Sequence, residues 1–226
     1  REYLPDDTAL LKMQKKSYEI LNDHPVNRAR IEKGLNPGNS LWFWGAGTKP
    51  SLDSFEEKFH KKGAMISAVD LLKGIAVGTS MKNIYVEGAN GGLDTNYEGK
   101  ADAALKALLE DGCDFVYVHV EAPDEMGHQG SIDKKIKAIE YLDRRVVARI
   151  KEGMDASGED YRMLVLPDHP TPICVKTHTS DPVPYVLYDS RNKEEKEGAC
   201  YSEAEARKTG KLLEKGHELI WHLLEE

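Results

Sequence analysis

The protein has 226 residues, 39 of them acidic and 31 basic, and its formal net charge is −8. This acidic excess argues against a protein that binds the nucleic-acid backbone in general, because such proteins need a basic surface. Hydrophobic residues make up 40% of the chain and charged residues 31%, which is typical of a globular protein. No apolar run approaches the roughly 18 residues that span a bilayer, so no membrane segment is predicted.

The first half of the chain begins with one clear helical pattern. Residues 6–22 are predicted to form a helix in which Asp6 or Asp7 accepts from the free amide groups at its start. Residues 23–54 are rich in Pro, Gly, Asn and Ser, and we expect them to form loops around one short strand at residues 41–44.

From residue 63 onward, short apolar runs alternate with amphipathic segments. Strands are predicted at 64–67, 83–87, 114–120, 162–166 and 183–188, and helices at 68–77, 97–110, 132–151 and 202–225. Strands that alternate with helices in this way indicate βαβ units and a mostly parallel sheet flanked by helices, so the predicted fold class is α/β. The charged segment at 55–63 suggests a boundary between two domains, residues 1–56 and 57–226.

Carboxylates and imidazoles collect at the ends of the predicted strands. They are Asp124 and His128 after strand 114–120, Asp168 and His169 after strand 162–166, and His178 shortly before strand 183–188. If that last strand is antiparallel to the others, all five side chains lie at one edge of the sheet. Such ligands accept Mn²⁺, Zn²⁺, Co²⁺ or Mg²⁺ and predict a two-metal site that binds a phosphoryl group.

The simpler interpretation of any single Asp-His pair is a hydrogen-bonded pair in a loop that binds no metal. It is the occurrence of three such groups at three strand ends that favours the metal site. The remaining histidines, including His119 within a predicted strand, are interpreted as structural. The three cysteines form no C-x-x-C pair, which favours a reducing compartment, and we expect the cytoplasm.

Three strings around these residues resemble the metal-binding motifs of a known family. They are EAPDEMGHQG (121–130), LVLPDHPTP (164–172) and THTSDPVPYVLY (177–188). They are similar to the motifs of the cofactor-independent phosphoglycerate mutases, in their archaeal-type branch, within the alkaline phosphatase superfamily. The resemblance covers nearly the whole chain. It implies an alkaline phosphatase-like sheet in residues 57–226 and, in residues 1–56, the trailing part of an inserted α/β substrate domain.

The resemblance also implies roles for particular residues. It makes Asp124, His128 and His178 the ligands of a first metal, and Asp168 and His169 ligands of a second. Two further ligands of the second metal, an Asp and the nucleophilic Ser, belong to the amino-terminal part of the family and match nothing in this sequence. Ser67 follows a predicted strand, but it lies in a stretch that resembles a different segment of the family, so it is not taken as the nucleophile. The chain, which opens at Arg1 without Met, is therefore expected to be the carboxyl-terminal portion of a longer enzyme and to be inactive alone.

The implied activity is the interconversion of 3-phosphoglycerate and 2-phosphoglycerate in glycolysis and gluconeogenesis, through a phosphoserine intermediate. Two divalent ions are implied, with Mn²⁺ expected and Zn²⁺, Co²⁺ or Mg²⁺ as alternatives, and 2,3-bisphosphoglycerate is not required. Arg28, Arg30 and Lys49 are candidates for contacts with the small-molecule substrate, although basic residues are often merely solvated. Two alternatives stay open, because the ligands cannot separate them: a phosphohydrolase of the same superfamily and a non-catalytic metal-binding domain.

Overall fold

The computed structural model describes residues 4–45, 47–192 and 200–224. The chain divides into two compact units, Arg1–Pro50 and Ser51–Glu226. Phe55 is buried in an apolar cluster of the second unit. The proposed domain boundary at residues 56 and 57 stays a prediction. No helix in the described ranges is both long and apolar enough to cross a membrane.

The first unit begins with the predicted helix. Helix α1 spans Thr8–Leu21, and the Asp7 carboxylate accepts from the Ala9 and Leu10 amides at 2.8 and 2.9 Å. A second helix, α2, spans Pro25–Glu32, where the sequence predicted loops. The proline lies in the first turn, where its missing N–H costs nothing, and it therefore starts this helix instead of breaking it.

The aromatic run at 41–44 forms no strand, which corrects the prediction for that segment. Trp42 and Trp44 are 64% and 82% exposed, so these rings are not core residues of the first unit.

The second unit contains the alternating strands and helices. Its elements are α3 (Phe55–Phe59), β1 (Gly63–Ile66), α4 (Asp70–Gly78), β2 (Lys82–Ile84), α5 (Tyr97–Leu109), β3 (Phe115–Val118), α6 (Ala122–His128), α7 (Ile132–Leu142), α8 (Ala148–Ser157), β4 (Arg162–Val165), β5 (Val186–Asp189), α9 (Glu203–Lys208) and α10 (Leu219–Leu224). The α/β fold class is confirmed.

The strands form two sheets within the described residues. Strands β2, β1 and β3 are parallel in that order, with Ala64 of β1 opposite Lys82 and Val116. Strands β4 and β5 form an antiparallel pair, with Met163 opposite Tyr188. The predicted parallel arrangement is therefore limited to the first three strands. Because β5 is antiparallel to β4, the chain before β5 returns to the end of β4, as the placement of His178 required.

The main core of this unit combines small side chains with one large aromatic residue, Tyr97. It comprises Tyr97, Ala101, Ala122, Met126, Ala138 and Val146. Helix α6 packs against α7, whereas α5 packs against β3 and α8. This packing fixes α6, which carries two of the predicted metal ligands.

Two predicted helices are interrupted. The segment predicted at 132–151 has a π-helical turn, Asp143–Val147, between α7 and α8. The segment predicted at 202–225 is divided between α9 and α10, because Gly210 adopts a positive φ of 65° shortly after α9. The Ser202 hydroxyl caps the start of α9 by accepting from the Glu205 amide at 3.2 Å. Residue 225 lies outside the described residues.

Candidate metal centre

Helix α6 presents Asp124 and His128 on one face, directly beyond the carboxyl end of β3. A spacing of four residues places both side chains on the same side of the helix. Asp124 Oδ2 lies 3.2 Å from His128 Nε2. Helix α6 therefore places two side chains close together at the edge of the sheet, and both are of the type that divalent ions accept as ligands.

The third donor comes from the loop that precedes β5. His178 Nε2 lies 3.2 Å from His128 Nε2 and 3.4 Å from Asp124 Oδ1. One ligand atom from each of these residues lies within 4.8 Å of the other two, and we call this cluster the Asp124 triad. Ligand bonds of about 2.0–2.2 Å to a shared ion require such separations, so this donor set fits a divalent cation.

A backbone contact orients the imidazole of His128. Its Nδ1–H donates to the Lys176 carbonyl at 3.0 Å, which leaves the Nε2 lone pair facing Asp124 and His178. This arrangement, with one ring nitrogen hydrogen-bonded and the other directed at the metal position, is typical of histidine ligands.

Thr171 supports the carboxylate of the triad, and the sequence did not reveal it. Its hydroxyl donates to Asp124 Oδ1, and its carbonyl accepts from Lys135 Nζ at 2.6 Å. Burial lowers the pKa of Lys135, an effect that the nearby Asp124 and Glu203 carboxylates oppose. The loop after β4 is thus fastened both to α6 and to α7.

Asp168 and His169 lie beside the triad. The His169 and His178 ring centroids are 3.7 Å apart, and Asp168 Oδ2 lies 3.3 Å from His169 Nε2. Within the described residues, the group of ligand atoms close enough to share one ion consists of the Asp124 triad and does not include Asp168 or His169. The nearby His119 imidazole is the main cause that holds the pKa of Asp168 below its ordinary value, against the effect of burial.

A buried polar network, which the sequence pattern did not reveal, lies behind these residues. Lys100 and Glu121 form an ion pair of 2.8 Å whose side chains are 0% and 7% exposed. Glu121 Oε1 also lies 3.2 Å from His119 Nδ1. One signal was available: Lys100 lies on the face of α5 that buries Tyr97 and Ala104, and a lysine there requires a buried partner.

The network shifts the titration of its members. Burial alone would lower the pKa of His119, but Asp168 and Glu121 outweigh it and raise the pKa to about 9. Burial would raise the pKa of Glu121, but His119 and Lys100 stabilise its charged form and lower the pKa to about 2. His119 lies just beyond β3 instead of inside the predicted strand, and its Nε2 lies 3.9 Å from Asp168 Oδ2. Its structural role stays a prediction.

The three basic candidates lie in the first unit. Arg28 pairs with Asp23, and the Arg30 Nε–H donates to the Asn36 carbonyl at 2.8 Å. Lys49 is exposed. Their role in substrate binding stays a prediction.

Gly127 marks a close approach between α6 and the loop after β4. A Cβ at this position would lie 2.6 Å from the Thr171 carbonyl oxygen and 2.9 Å from Lys135 Nζ. We expect Gly127→Ala to displace the loop and to weaken Mn²⁺ binding about 10-fold, as measured by calorimetry. The matched control is Gly74→Ala in α4, where a Cβ meets nothing within 4 Å. The control is expected to keep the metal affinity, and equal loss in both variants would contradict the prediction.

The sequence profile of the metalloenzyme superfamily matches residues 12–223. The chain belongs to this superfamily. A superfamily of metal-dependent enzymes agrees with the donor chemistry of the Asp124 triad.

Relatives of this chain within the superfamily carry a specific name. A 2,3-bisphosphoglycerate-independent phosphoglycerate mutase of Methanosarcina barkeri is 50% identical over 222 residues, which are 97% of this chain and 55% of the relative. A probable enzyme of the same name from Geobacter sulfurreducens is 48% identical, and the match covers 56% of that relative. The chain therefore spans about half the length of the curated relatives it matches.

Two solved structures resemble the fold of this chain. A Pyrococcus horikoshii protein has a TM-score of 0.71 and 32% identity over 86% of this chain and 50% of its own. A cofactor-independent phosphoglycerate mutase of Thermoplasma acidophilum has a TM-score of 0.52 and 24% identity, covering 96% of this chain and 50% of its own, and supports the fold alone.

Proposed function

We propose that this chain supplies the metal-binding part of a cofactor-independent phosphoglycerate mutase, which interconverts 3-phosphoglycerate and 2-phosphoglycerate. The observation that carries the proposal is the Asp124 triad, in which three residues from two distant segments direct donor atoms at one position. The names of the relatives support the reaction. In the proposal residues 1–56 belong to the substrate domain, and the enzyme acts in the cytoplasm.

In this proposal Asp124, His128 and His178 hold one divalent ion, and Asp168 and His169 contribute to a second. We expect Mn²⁺ in both positions and no requirement for 2,3-bisphosphoglycerate. Bound divalent ions supply a Lewis acid that neutralises phosphate charge and lowers the pKa of a hydroxyl nucleophile.

The chain's own residues have three tasks. The Lys176 carbonyl keeps the His128 proton on Nδ1. The Thr171 hydroxyl holds the Asp124 carboxylate in place beside His128 and His178. Basic side chains of the first unit, Arg28, Arg30 and Lys49, are proposed to contact the substrate's phosphate and carboxylate oxygens.

The serine that accepts the phosphoryl group is proposed to lie outside this chain. Ser67 is a poor candidate because the residue is only 6% exposed. Its hydroxyl donates to Glu121 Oε1 at 3.3 Å and accepts from the Val69 amide at 3.0 Å. We therefore expect the isolated 226-residue chain to bind Mn²⁺ without turnover.

A chimeric enzyme tests the reaction. In it this chain replaces the matching segment of the Methanosarcina barkeri relative, and the assay follows both 2-phosphoglycerate and free phosphate. The expected result is formation of 2-phosphoglycerate with little free phosphate, and its loss when the chimera carries Asp124→Ala. Free phosphate as the main product would contradict the mutase and favour a phosphohydrolase. Formation of a phosphoserine on the isolated chain would contradict the proposed position of the nucleophile.

A further inference from the structure

His119 is the first residue after β3, and its backbone is fixed on both sides. Its N–H donates to the Ile66 carbonyl at 2.8 Å, and its carbonyl accepts from Lys100 Nζ at 2.8 Å. The side chain is 19% exposed. The position of the ring is therefore set by the parallel sheet and by α5.

The Nδ1 side of the ring faces an anchored carboxylate. His119 Nδ1 lies 3.2 Å from Glu121 Oε1 and 3.3 Å from Ser67 Oγ. The same Glu121 oxygen accepts from the Ala68 amide at 2.9 Å, and the other oxygen pairs with the fully buried Lys100 at 2.8 Å. Because both oxygens of Glu121 have fixed partners, the imidazole that contacts Glu121 is held in one orientation.

The opposite side of the ring faces Asp168. His119 Nε2 lies 3.9 Å from Asp168 Oδ2, an ion-pair distance. Asp168 belongs to the loop after β4, and its side chain is 55% exposed. Its other described contacts are with the neighbouring residue: Oδ1 accepts from the His169 amide at 3.0 Å, and Oδ2 lies 3.3 Å from His169 Nε2. His119 thus connects an exposed loop carboxylate to the buried sheet.

We propose that His119 is a positioning residue for Asp168: anchored by Glu121 and Lys100, it holds the carboxylate in the orientation in which Asp168 and His169 bind the second divalent ion. This inference rests on the proposed function, which makes those two residues ligands. A carboxylate held before the ion arrives loses less rotational freedom on binding. Changes to such outer partners typically alter metal affinity 10–100-fold.

The test compares His119→Phe with His119→Gln in the full chain, titrated with Mn²⁺ by calorimetry and followed by electron paramagnetic resonance. The wild-type chain is expected to bind two ions, in a tight step at the Asp124 triad and a weaker step at Asp168 and His169. Asp124→Ala and Asp168→Ala assign the two steps.

We expect His119→Phe to raise the dissociation constant of the weaker step about 10–100-fold and to leave the tight step unchanged. The intact tight step reports that the chain is folded. The amide N–H of glutamine can still reach Asp168, so His119→Gln is expected to keep most of the weaker affinity. A merely structural role would weaken both steps together.

The outcomes separate this inference from the proposed function. Absence of a tight step that depends on Asp124 contradicts the proposed function. A wild-type chain with both steps whose weaker step is unaffected by His119→Phe overturns the inference alone. So does equal loss in the phenylalanine and glutamine variants, or a wild-type chain that binds a single ion at the Asp124 triad.

Discussion

Replacing Asp124 with alanine is expected to weaken the binding of Mn²⁺ at the triad by at least about 100-fold, since loss of a ligand exceeds the effect of losing its outer partner. Asp124 is the only carboxylate of the triad, so the variant leaves two neutral imidazoles that cannot compensate the charge of the ion. Calorimetric titration of the full chain with Mn²⁺ measures the effect.

A matched control for this change is Asp133→Ala. Asp133 is an exposed carboxylate in the first turn of α7, the helix that follows α6. It removes the same charge without touching the triad and is expected to keep the metal affinity. If both variants bind Mn²⁺ as the wild type does, the assignment of Asp124 as a ligand is wrong.

Lys100→Met is expected to lower the free energy of unfolding by about 3–5 kcal/mol, because it removes the buried cation that pairs with Oε2 of the Glu121 carboxylate. Methionine keeps the length and helix propensity of the side chain, so the loss reports the charge and not a cavity. Urea denaturation monitored by circular dichroism measures the difference.

Two further variants separate the buried pair from a general effect of removing lysine. Lys106→Met removes a lysine from the exposed face of the same helix, where the Lys106 side chain is 58% exposed, and we expect little change in stability. The double variant Lys100→Met/Glu121→Gln is expected to recover part of the loss, because the uncompensated charge is gone. A double variant less stable than Lys100→Met alone would show that the ion pair is not the source of the effect.

The sequence allowed the ligands of the triad to be proposed because their placement follows from local rules. The four-residue spacing of Asp124 and His128 needs only one helical turn, and the position of His178 needs only an antiparallel β5. The structure brings these three side chains together. What the sequence could not supply was Thr171, whose contact with Asp124 depends on how the loop after β4 folds.

The buried network lies beyond local patterns for a similar reason. Lys100 and Glu121 are 21 residues apart on different elements, and nothing in the periodicity of α5 specifies which carboxylate the lysine meets. Two local sequence signals also predicted the wrong secondary structure. Pro25 starts α2, although it suggested a loop, and Gly210 lies in the break after α9, although the leucine spacing suggested a continuous helix.

The Asp124 triad joins a helix to a long connection between two antiparallel strands, and this has a thermodynamic consequence. Asp124 and His128 are held by α6, whereas His178 is carried by the chain that leads into β5. A cation shared by both segments closes a ring in the polypeptide and favours the ordered form of that connection, by the same free energy that the ordered connection adds to cation affinity. A chelator should therefore speed proteolytic cleavage between β4 and β5 while the parallel sheet stays protected.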